Sequence, residues 1–311
     1  MIQAIQVTKR DGSKEPLDVE KLHKVVFHAC DNITGVSPSE VEIKSQIQFF
    51  SGITSKEIQE TLIKAAADLI SEETPNYQNV GGRLINYALR KEVYNGYEPI
   101  AVKALVEKNI DRGFYDPELL SYYTDEEWDK IDGFVKHERD ENLTYVAMEQ
   151  LRGKYLCQNR VTGEIFETPQ MCYILIAATL FNEYPSETRM QYVKDYYDAI
   201  SLHDISLPTP VMAGVRTPQR QFSSCVLIET GDSLDSINAT ASAVVKYVSQ
   251  KAGIGIGGGS IRAIGTPIRK GDAYHTGVIP FYKHFQSAIK SCSQGGVRGG
   301  AGTIYYPIWH F

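Results

Sequence analysis

The sequence predicts a mainly α-helical body followed by an α/β segment, and three observations carry that reading. Apolar residues at helical spacing, with capping signatures, recur through residues 18–200. From Ser206 onward strand-like apolar runs alternate with a helix pattern, as in α/β sheets and barrels. Charge divides the chain in the same way. Residues 241–311 hold eight Lys/Arg, one acid and 13 of the 25 glycines, whereas residues 1–240 carry 24 basic against 37 acidic residues. The length of 311 residues corresponds to about two domains at ~150 residues each.

In chain order, Asp11-Gly12 lies between residues 7–10 and 14–17 as a two-residue hairpin signal. Asp18 then caps a helix with Leu22, Val25, Val26 and Ala29 on one face, and Leu17 and Leu22 are spaced for a hydrophobic staple. Thr54-Ser-Lys-Glu57 is a capping box for a second helix carrying Ile58, Leu62, Ala65, Ala66 and Leu69. A third helix spans residues 77–93, and its Gly81-Gly82 pair permits a close neighbour. Residues 96–205 read as acidic and helical, interrupted by a hairpin at 159–166. Thr168-Pro169 is an N-cap with a first-turn proline, and Ser186 opens a helix with Met190, Val193, Tyr197 and Ile200 inward. A structural helical body accounts for nearly all of this stretch.

The pattern changes at Ser206-Leu-Pro-Thr-Pro210, where two prolines predict an extended chain around Thr209. A strand over 222–229 and a helix over 233–251 follow, then strand candidates at 261–264, 276–280 and 303–309. The last of these is apolar and would leave an open edge unless something pairs with it.

Whole-chain properties narrow the function. A net charge of −6 argues against a general nucleic-acid binder. No apolar stretch approaches the ~18 residues of a membrane helix, and residues 1–16 lack the apolar core of a signal peptide. The cytoplasm is therefore the expected location. The five cysteines are dispersed and form no C-x-x-C pair, so neither zinc nor a local redox couple is indicated and no metal site is expected. A basic, glycine-rich region on an acidic body points to small anions, phosphates first.

Gly253-Ile-Gly255-Ile-Gly-Gly258 formally matches the dinucleotide fingerprint, but a helix precedes it where a strand is required. A flexible loop passing close to a ligand is expected instead. Asp232 reads as the N-cap of the helix that follows, and acids there ordinarily complement the helix dipole. Arg262, Arg269 and Lys270 have few acids nearby and suit a triphosphate, with a solvated basic face as the alternative. Gln294 and Arg298 lie in a glycine-rich loop able to present them to a ligand, or simply to connect two elements. Cys225, amid hydroxyls and aliphatics, reads by itself as a buried strand cysteine.

Taken together, these segments resemble the large, catalytic subunit of class I ribonucleotide reductase, of the enterobacterial and T-even phage type. The carriers are Val7-Thr-Lys-Arg-Asp-Gly-Ser13, Gly153-Lys-Tyr-Leu, Asn159-Arg-Val-Thr-Gly-Glu, Ser206-Leu-Pro-Thr-Pro, Phe222-Ser-Ser-Cys-Val-Leu-Ile-Glu, Gly231-Asp-Ser-Leu-Asp-Ser-Ile-Asn, Arg298-Gly-Gly and Tyr306-Pro-Ile-Trp-His310. The resemblance implies an ATP-cone over residues 1–95, a helical domain over 96–220 and the start of a ten-stranded α/β barrel over 221–311. It also implies nucleotide contacts in the cone from Lys9, Glu15, Lys21, Ser55 and Lys91. The family often carries two histidines where Gln59 and Ala88 stand here, a departure that bears on inhibition by dATP.

The same resemblance makes Cys225 one of two thiols that reduce the ribose, with Thr209, Ser224 and Gly253 at substrate positions. Asp232, Ser233, Leu234, Arg262 and Arg269 match a specificity site for a dNTP or ATP. Gln294 and Arg298 match the loop that relays effector identity to substrate. No covalently bound cofactor is implied. The implied partners are nucleoside diphosphates, a di-iron small subunit that supplies the radical, thioredoxin or glutaredoxin as reductant, and a second copy of the large subunit. The family's radical cysteine and second redox thiol match no residue of this chain. The expectation is therefore an N-terminal piece of a split subunit completed by a second polypeptide, the alternatives being a catalytically inactive nucleotide-binding fragment or a non-functional truncation.

Overall fold

The computed structural model describes residues 5–46, 48–294 and 298–310, and the side chains of Gln294 and Arg298 fall outside that description. The chain divides into two compact units: Met1–Ser206 with Arg216–Pro218, and Leu207–Val215 with Gln219–Phe311.

The first unit opens with an antiparallel pair, β1 (Gln6–Thr8) and β2 (Lys14–Pro16), with Val7 opposite Glu15. The connection is longer than the expected two-residue turn. It runs from Lys9 to Ser13, closed by the Lys9 amide donating to the Ser13 carbonyl (2.8 Å) and by the Asp11 carboxylate accepting from the Ser13 amide (2.9 Å). The Asx turn replaces the tighter hairpin. Helix α1 (Val19–Cys30) is capped by Asp18 as its sequence requires, and buries Leu22, Val26, Ala29 and Cys30. Helix α2 (Pro38–Gln46) follows. Helix α3 (Ser55–Ala67) begins at the complete capping box, in which Thr54 and Glu57 satisfy each other's backbone amides. The Thr8 amide donates to the Ile53 carbonyl (2.9 Å), tying the hairpin to the start of α3.

The long helix α4 (Tyr77–Tyr94) is the spine of this unit. A Cβ at Gly82 would collide with the Leu143 carbonyl, so the close approach read from Gly81-Gly82 is real and is made by backbone. Helices α5 (Val102–Asp111), α6 (Asp125–Phe134), α7 (Tyr145–Gln150), α8 (Pro169–Leu180) and α9 (Ser186–Ser201) complete the unit, with α8 buried along nearly all its length. Thr168 occupies the N-cap position of α8, but its hydroxyl hydrogen-bonds the Tyr94 hydroxyl (2.7 Å) rather than the helix backbone. The expected hairpin appears as a single bridge, Gln158 with Ile165. The fully buried Arg216 pairs with the equally buried Glu167, which also accepts from the Tyr115 hydroxyl and the Cys157 amide.

The second unit begins with α10 (Thr209–Gly214). Thr209 was expected in extended chain. It is the first residue of a short helix because Pro208 ends the extended run and Pro210 fits a first turn. Next come β3 (Cys225–Glu229), α11 (Leu234–Ser249), β4 (Gly253–Gly257), the small pair β5 (Pro267–Ile268) with β6 (Ala273–Tyr274), and α12 (Ile279–Lys290). A backbone pair, β7 (Ser293–Gln294) with β8 (Arg298–Gly299), precedes β9 (Gly302–Tyr305).

β3, β4 and β9 form a parallel sheet in that order, with Cys225 opposite Gly253 and Ile254 opposite Gly302. Helices α11 and α12 are the crossovers parallel strands need. They pack with Ile254 and Ile256 in a core that includes Ile237, Val244, Val248, Phe285 and Ile289. The segment 253–257 is thus the central strand of the sheet rather than a flexible loop. Residues 261–264 form no strand, and 276–280 run from coil into α12, where Pro280 occupies the first turn. The last strand is shorter than expected, ending at Tyr305 before Pro307. Among the described residues no helix is long and apolar enough to cross a membrane.

Candidate functional site

The first unit holds a cavity of about 840 Å³ between the hairpin, α1, α3 and the C-terminal half of α4. Lys9, Glu15, Lys21, Ser55 and Lys91 all line it, so residues up to 82 positions apart in sequence converge on one space. Each arrives by a local device. Lys9 and Glu15 flank the Asx turn, Lys21 lies in the first turn of α1, Ser55 is the first residue of α3 after its cap, and Lys91 is in the last turn of α4. Lys9 and Glu15 form an ion pair across the mouth (3.0 Å), and Glu15 raises the pKa of the Lys9 ammonium. The Lys91 ammonium sits 4.3 Å from the centre of the Tyr87 ring, a cation–π contact that holds its charge at the wall. Gln59 also lines the cavity, and its side-chain oxygen is shielded from solvent without a hydrogen-bond partner. Sequence reasoning missed Arg10, Lys24, Tyr87 and Asn95, which line the same cavity. Basic residues near an N-terminal hairpin were the only available signal.

In the second unit, Cys225 stands at the start of β3 and is exposed, which corrects the expectation of a buried strand thiol. The physical reason is the open face of the sheet. Cys225, Leu227 and Glu229 alternate onto that face, and Leu227 is 79% exposed there. The neighbouring strand offers Gly253, Gly255 and Gly257 on the same face, where a Cβ at 255 or 257 would crowd Leu227 or Glu229. Gly253 donates its amide to the Ser224 carbonyl (2.8 Å), and the Ser224 hydroxyl lies 3.9 Å from the Cys225 sulfur. Ser224, Cys225 and Gly253 are therefore adjacent, and Thr209 opens α10 earlier in the unit. Of the other cysteines, Cys30, Cys157 and Cys172 are buried and Cys292 is half-buried. Burial pushes the Cys30 thiol up to about 11 and Cys172 higher still, so neither is a nucleophile at neutral pH.

The residues expected to bind an anion in this unit divide in two. Ser233, not Asp232, is the N-cap of α11, its hydroxyl accepting from the Ser236 amide (3.1 Å). Asp232 is drawn away because it accepts from both the Arg262 amide (2.9 Å) and the Arg262 Nε (2.7 Å). Arg262 is therefore already neutralised, contrary to the reading of uncompensated cations. Arg269 is 79% exposed, in left-handed backbone at φ 51°, with Asp272 3.9 Å away. Leu234 is exposed on the first turn of α11. The backbones of Gln294 and Arg298 pair with each other, whereas their side chains lie outside the described residues. Among the described residues, no group of three or more His, Cys, Asp or Glu could hold a metal ion.

Three family models match in chain order: the ATP cone domain over residues 5–92, the ribonucleotide reductase all-alpha domain over 141–220, and the ribonucleotide reductase barrel domain over 223–311. Over 310 residues the chain is 60% identical to ribonucleoside-diphosphate reductase 1 subunit alpha of Escherichia coli, covering 100% of this chain and 41% of that protein. The chain belongs to the ribonucleotide reductase large-subunit family. The subunit alpha of Enterobacteria phage T4 is 50% identical, covering 99% of this chain and 41% of the phage protein. The chain thus spans about two fifths of the length of the curated relatives it matches. Within this reductase frame, the cavity of the first unit falls in the cone match, and Cys225 with the parallel sheet falls in the barrel match.

Proposed function

We propose that this chain supplies the effector-binding part and one redox thiol of an aerobic ribonucleotide reductase, acting on ribonucleoside diphosphates. The observation that carries the reading is Cys225, a solvent-accessible thiol at the open face of a parallel sheet, beside Gly253 and Ser224. An exposed sulfur flanked by a glycine leaves room for a ribose to lie against the strand. In the proposed reaction two thiols surrender two electrons and two protons and become a disulfide, while the ribose 2′ hydroxyl leaves as water. Cys225 supplies one sulfur, and Thr209, Ser224 and Gly253 orient the substrate. The second thiol and the thiyl that removes the 3′ hydrogen come from the remainder of the large subunit. A di-iron small subunit initiates that radical, and thioredoxin or glutaredoxin restores the dithiol by exchange.

The proposed organisation is an ATP-cone over 1–95, a helical domain over 96–220 and the opening of a ten-stranded barrel over 221–311. ATP or dATP occupies the cone cavity through Lys9, Glu15, Lys21, Ser55 and Lys91. A dNTP or ATP engages Asp232, Ser233, Leu234, Arg262 and Arg269, with Gln294 and Arg298 as the relay toward substrate and a second large subunit completing a homodimer. Such a relay is a coupling free energy, so substrate and effector must change each other's binding by the same factor.

The test is reconstitution. The chain is mixed with the remainder of the large subunit, the small subunit and a dithiol reductant, and deoxynucleoside diphosphate is measured. Cys225→Ser should abolish turnover and leave ATP binding to the cone unchanged, whereas turnover that survives the substitution would sink the proposal. The cation-lined cavity of the first unit favours a second reading, a nucleotide-binding regulatory chain without catalysis. That reading requires Cys225 to remain a free thiol throughout incubation with substrate.

A further inference from the structure

The interior of the helical unit holds an acid that the proposed chemistry does not use. Asp140 is completely buried on the short 3₁₀ turn His137–Asn142. Hydrogen bonds run toward it in one direction. The Lys136 amide donates to the Tyr197 hydroxyl (2.8 Å), which donates to Gln170 Oε1 (2.6 Å). The Ser201 hydroxyl donates to the same oxygen (2.6 Å), and Gln170 Nε2 donates to Asp140 Oδ1 (2.9 Å). In this arrangement Gln170 Oε1 accepts from both hydroxyls, and Asp140 Oδ1 accepts from the amide nitrogen at the end of the chain. The other carboxylate oxygen of Asp140 has no hydrogen-bond partner.

The groups facing Asp140 come from three helices and from its own turn. They are Arg90 and Tyr94 on α4, Gln170, Cys172 and Tyr173 on α8, Tyr197 on α9, and the adjacent Glu141. Arg90 is the cation among them. Its Nη2 donates to the His137 carbonyl (2.9 Å), and its guanidinium carbon lies 4.7 Å from the centre of the Tyr97 ring. Burial, which disfavours the ionised carboxyl, outweighs the Gln170 bonds and the pull of Arg90 and raises the Asp140 pKa to about 7.

We propose that Asp140 is a proton-operated latch: neutral, it seats the 137–142 turn between α4 and α8, and ionised, it loosens that turn. The same helix α4 presents Tyr87 and Lys91 to the cavity and Arg90 and Tyr94 to Asp140, so the latch bears on the wall of the candidate nucleotide site. The sign follows from linkage. A carboxyl whose folded pKa is raised contributes its full stability below the ordinary carboxylate range. That contribution is lost as pH rises from about 4 to about 7 and is constant above.

The test is hydrogen exchange on the full chain, reading amides in residues 137–142 and the first turn of α8 after correction for intrinsic rates. Between about pH 5 and pH 8 the opening constant should rise by up to about a hundredfold in the wild type and stay flat in Asp140→Asn. A flat wild-type profile, or the same slope in Asp140→Asn, would overturn the latch. Should Asp140→Asn fail to fold, isotope-edited infrared of the wild type decides. A buried protonated carboxyl band must be present near pH 6 and vanish with a midpoint near 7, and its absence near pH 6 overturns the proposal.

Discussion

Replacing Glu167 with Gln should be among the most damaging conservative changes in the first unit. Glu167 and Arg216 are both fully buried, and the carboxylate receives Arg216 Nε (2.6 Å), a second guanidinium nitrogen, the Tyr115 hydroxyl and the Cys157 amide. A carboxamide presents one oxygen and one NH2 to these four donors, so at least one donor meets another donor and the guanidinium charge loses its counter-ion. Breaking a buried pair on one side costs about 3–5 kcal/mol. In a unit of this size each kcal/mol corresponds to about 2–4 °C, so the melting temperature should fall by roughly 6–20 °C. The assay is thermal unfolding followed by tryptophan fluorescence, because Trp128 is buried in this unit whereas Trp309 is 78% exposed. The double change Glu167→Leu with Arg216→Met should recover only part of the loss, since it removes the uncompensated charge but leaves the Tyr115 hydroxyl and the Cys157 amide without their acceptor. A fall of less than about 2 °C for Glu167→Gln would mean that water or rearrangement compensates Arg216, and the reasoning would fail.

Gly82→Ala should cost about 1–3 kcal/mol in denaturant unfolding, because its Cβ meets the Leu143 carbonyl, whereas Gly257→Ala meets only the mobile end of Glu229 and should cost less. Thr54→Ala removes one side of the capping box and should destabilise α3 by about 1 kcal/mol, read from the same curves. Lys91→Ala should weaken ATP binding to the cone about 10–100-fold by titration calorimetry, as expected for loss of a charged contact of about 1.5–3 kcal/mol. Arg262→Ala breaks a half-exposed pair with Asp232, so stability should change by less than about 1 kcal/mol while dNTP affinity, measured by filter binding, falls.

What the sequence made legible was whatever is encoded locally. The caps at Asp18 and Thr54 and the succession of strand, helix and strand rest on residues within a few positions of one another, and the Gly81-Gly82 pair marked the close approach of α4 without naming its partner, Leu143. The errors share one cause, which is that burial and pairing are decided by distant neighbours. Gly253–Gly257 has poor strand propensity, yet it is a central strand because β3 and β9 flank it and α11 and α12 cover its isoleucines. Residues 261–264 have better strand composition and no partner to pair with. Cys225 looked buried because its neighbours are apolar, but alternation along β3 turns it onto the uncovered face. Asp232 looked like a cap because nothing in sequence connects it to Arg262, thirty positions away. The pair of Glu167 with Arg216 and the network ending on Asp140 leave no sequence signature at all.

The two ion pairs Lys9–Glu15 and Asp232–Arg262 carry a consequence for selectivity. At each of these proposed sites the cation is already held by a tethered carboxylate, whose effective concentration is high because it is covalently attached. A solitary inorganic anion has only its charge with which to compete, and gains little by exchanging one oxygen for another. A larger ligand that adds a base, a sugar and further phosphates to the exchange can displace the carboxylate and still come out ahead. If the proposed nucleotides bind at these places, the internal pairs would act as a filter in which phosphate, sulfate and other small ions are disfavoured by competition rather than by size.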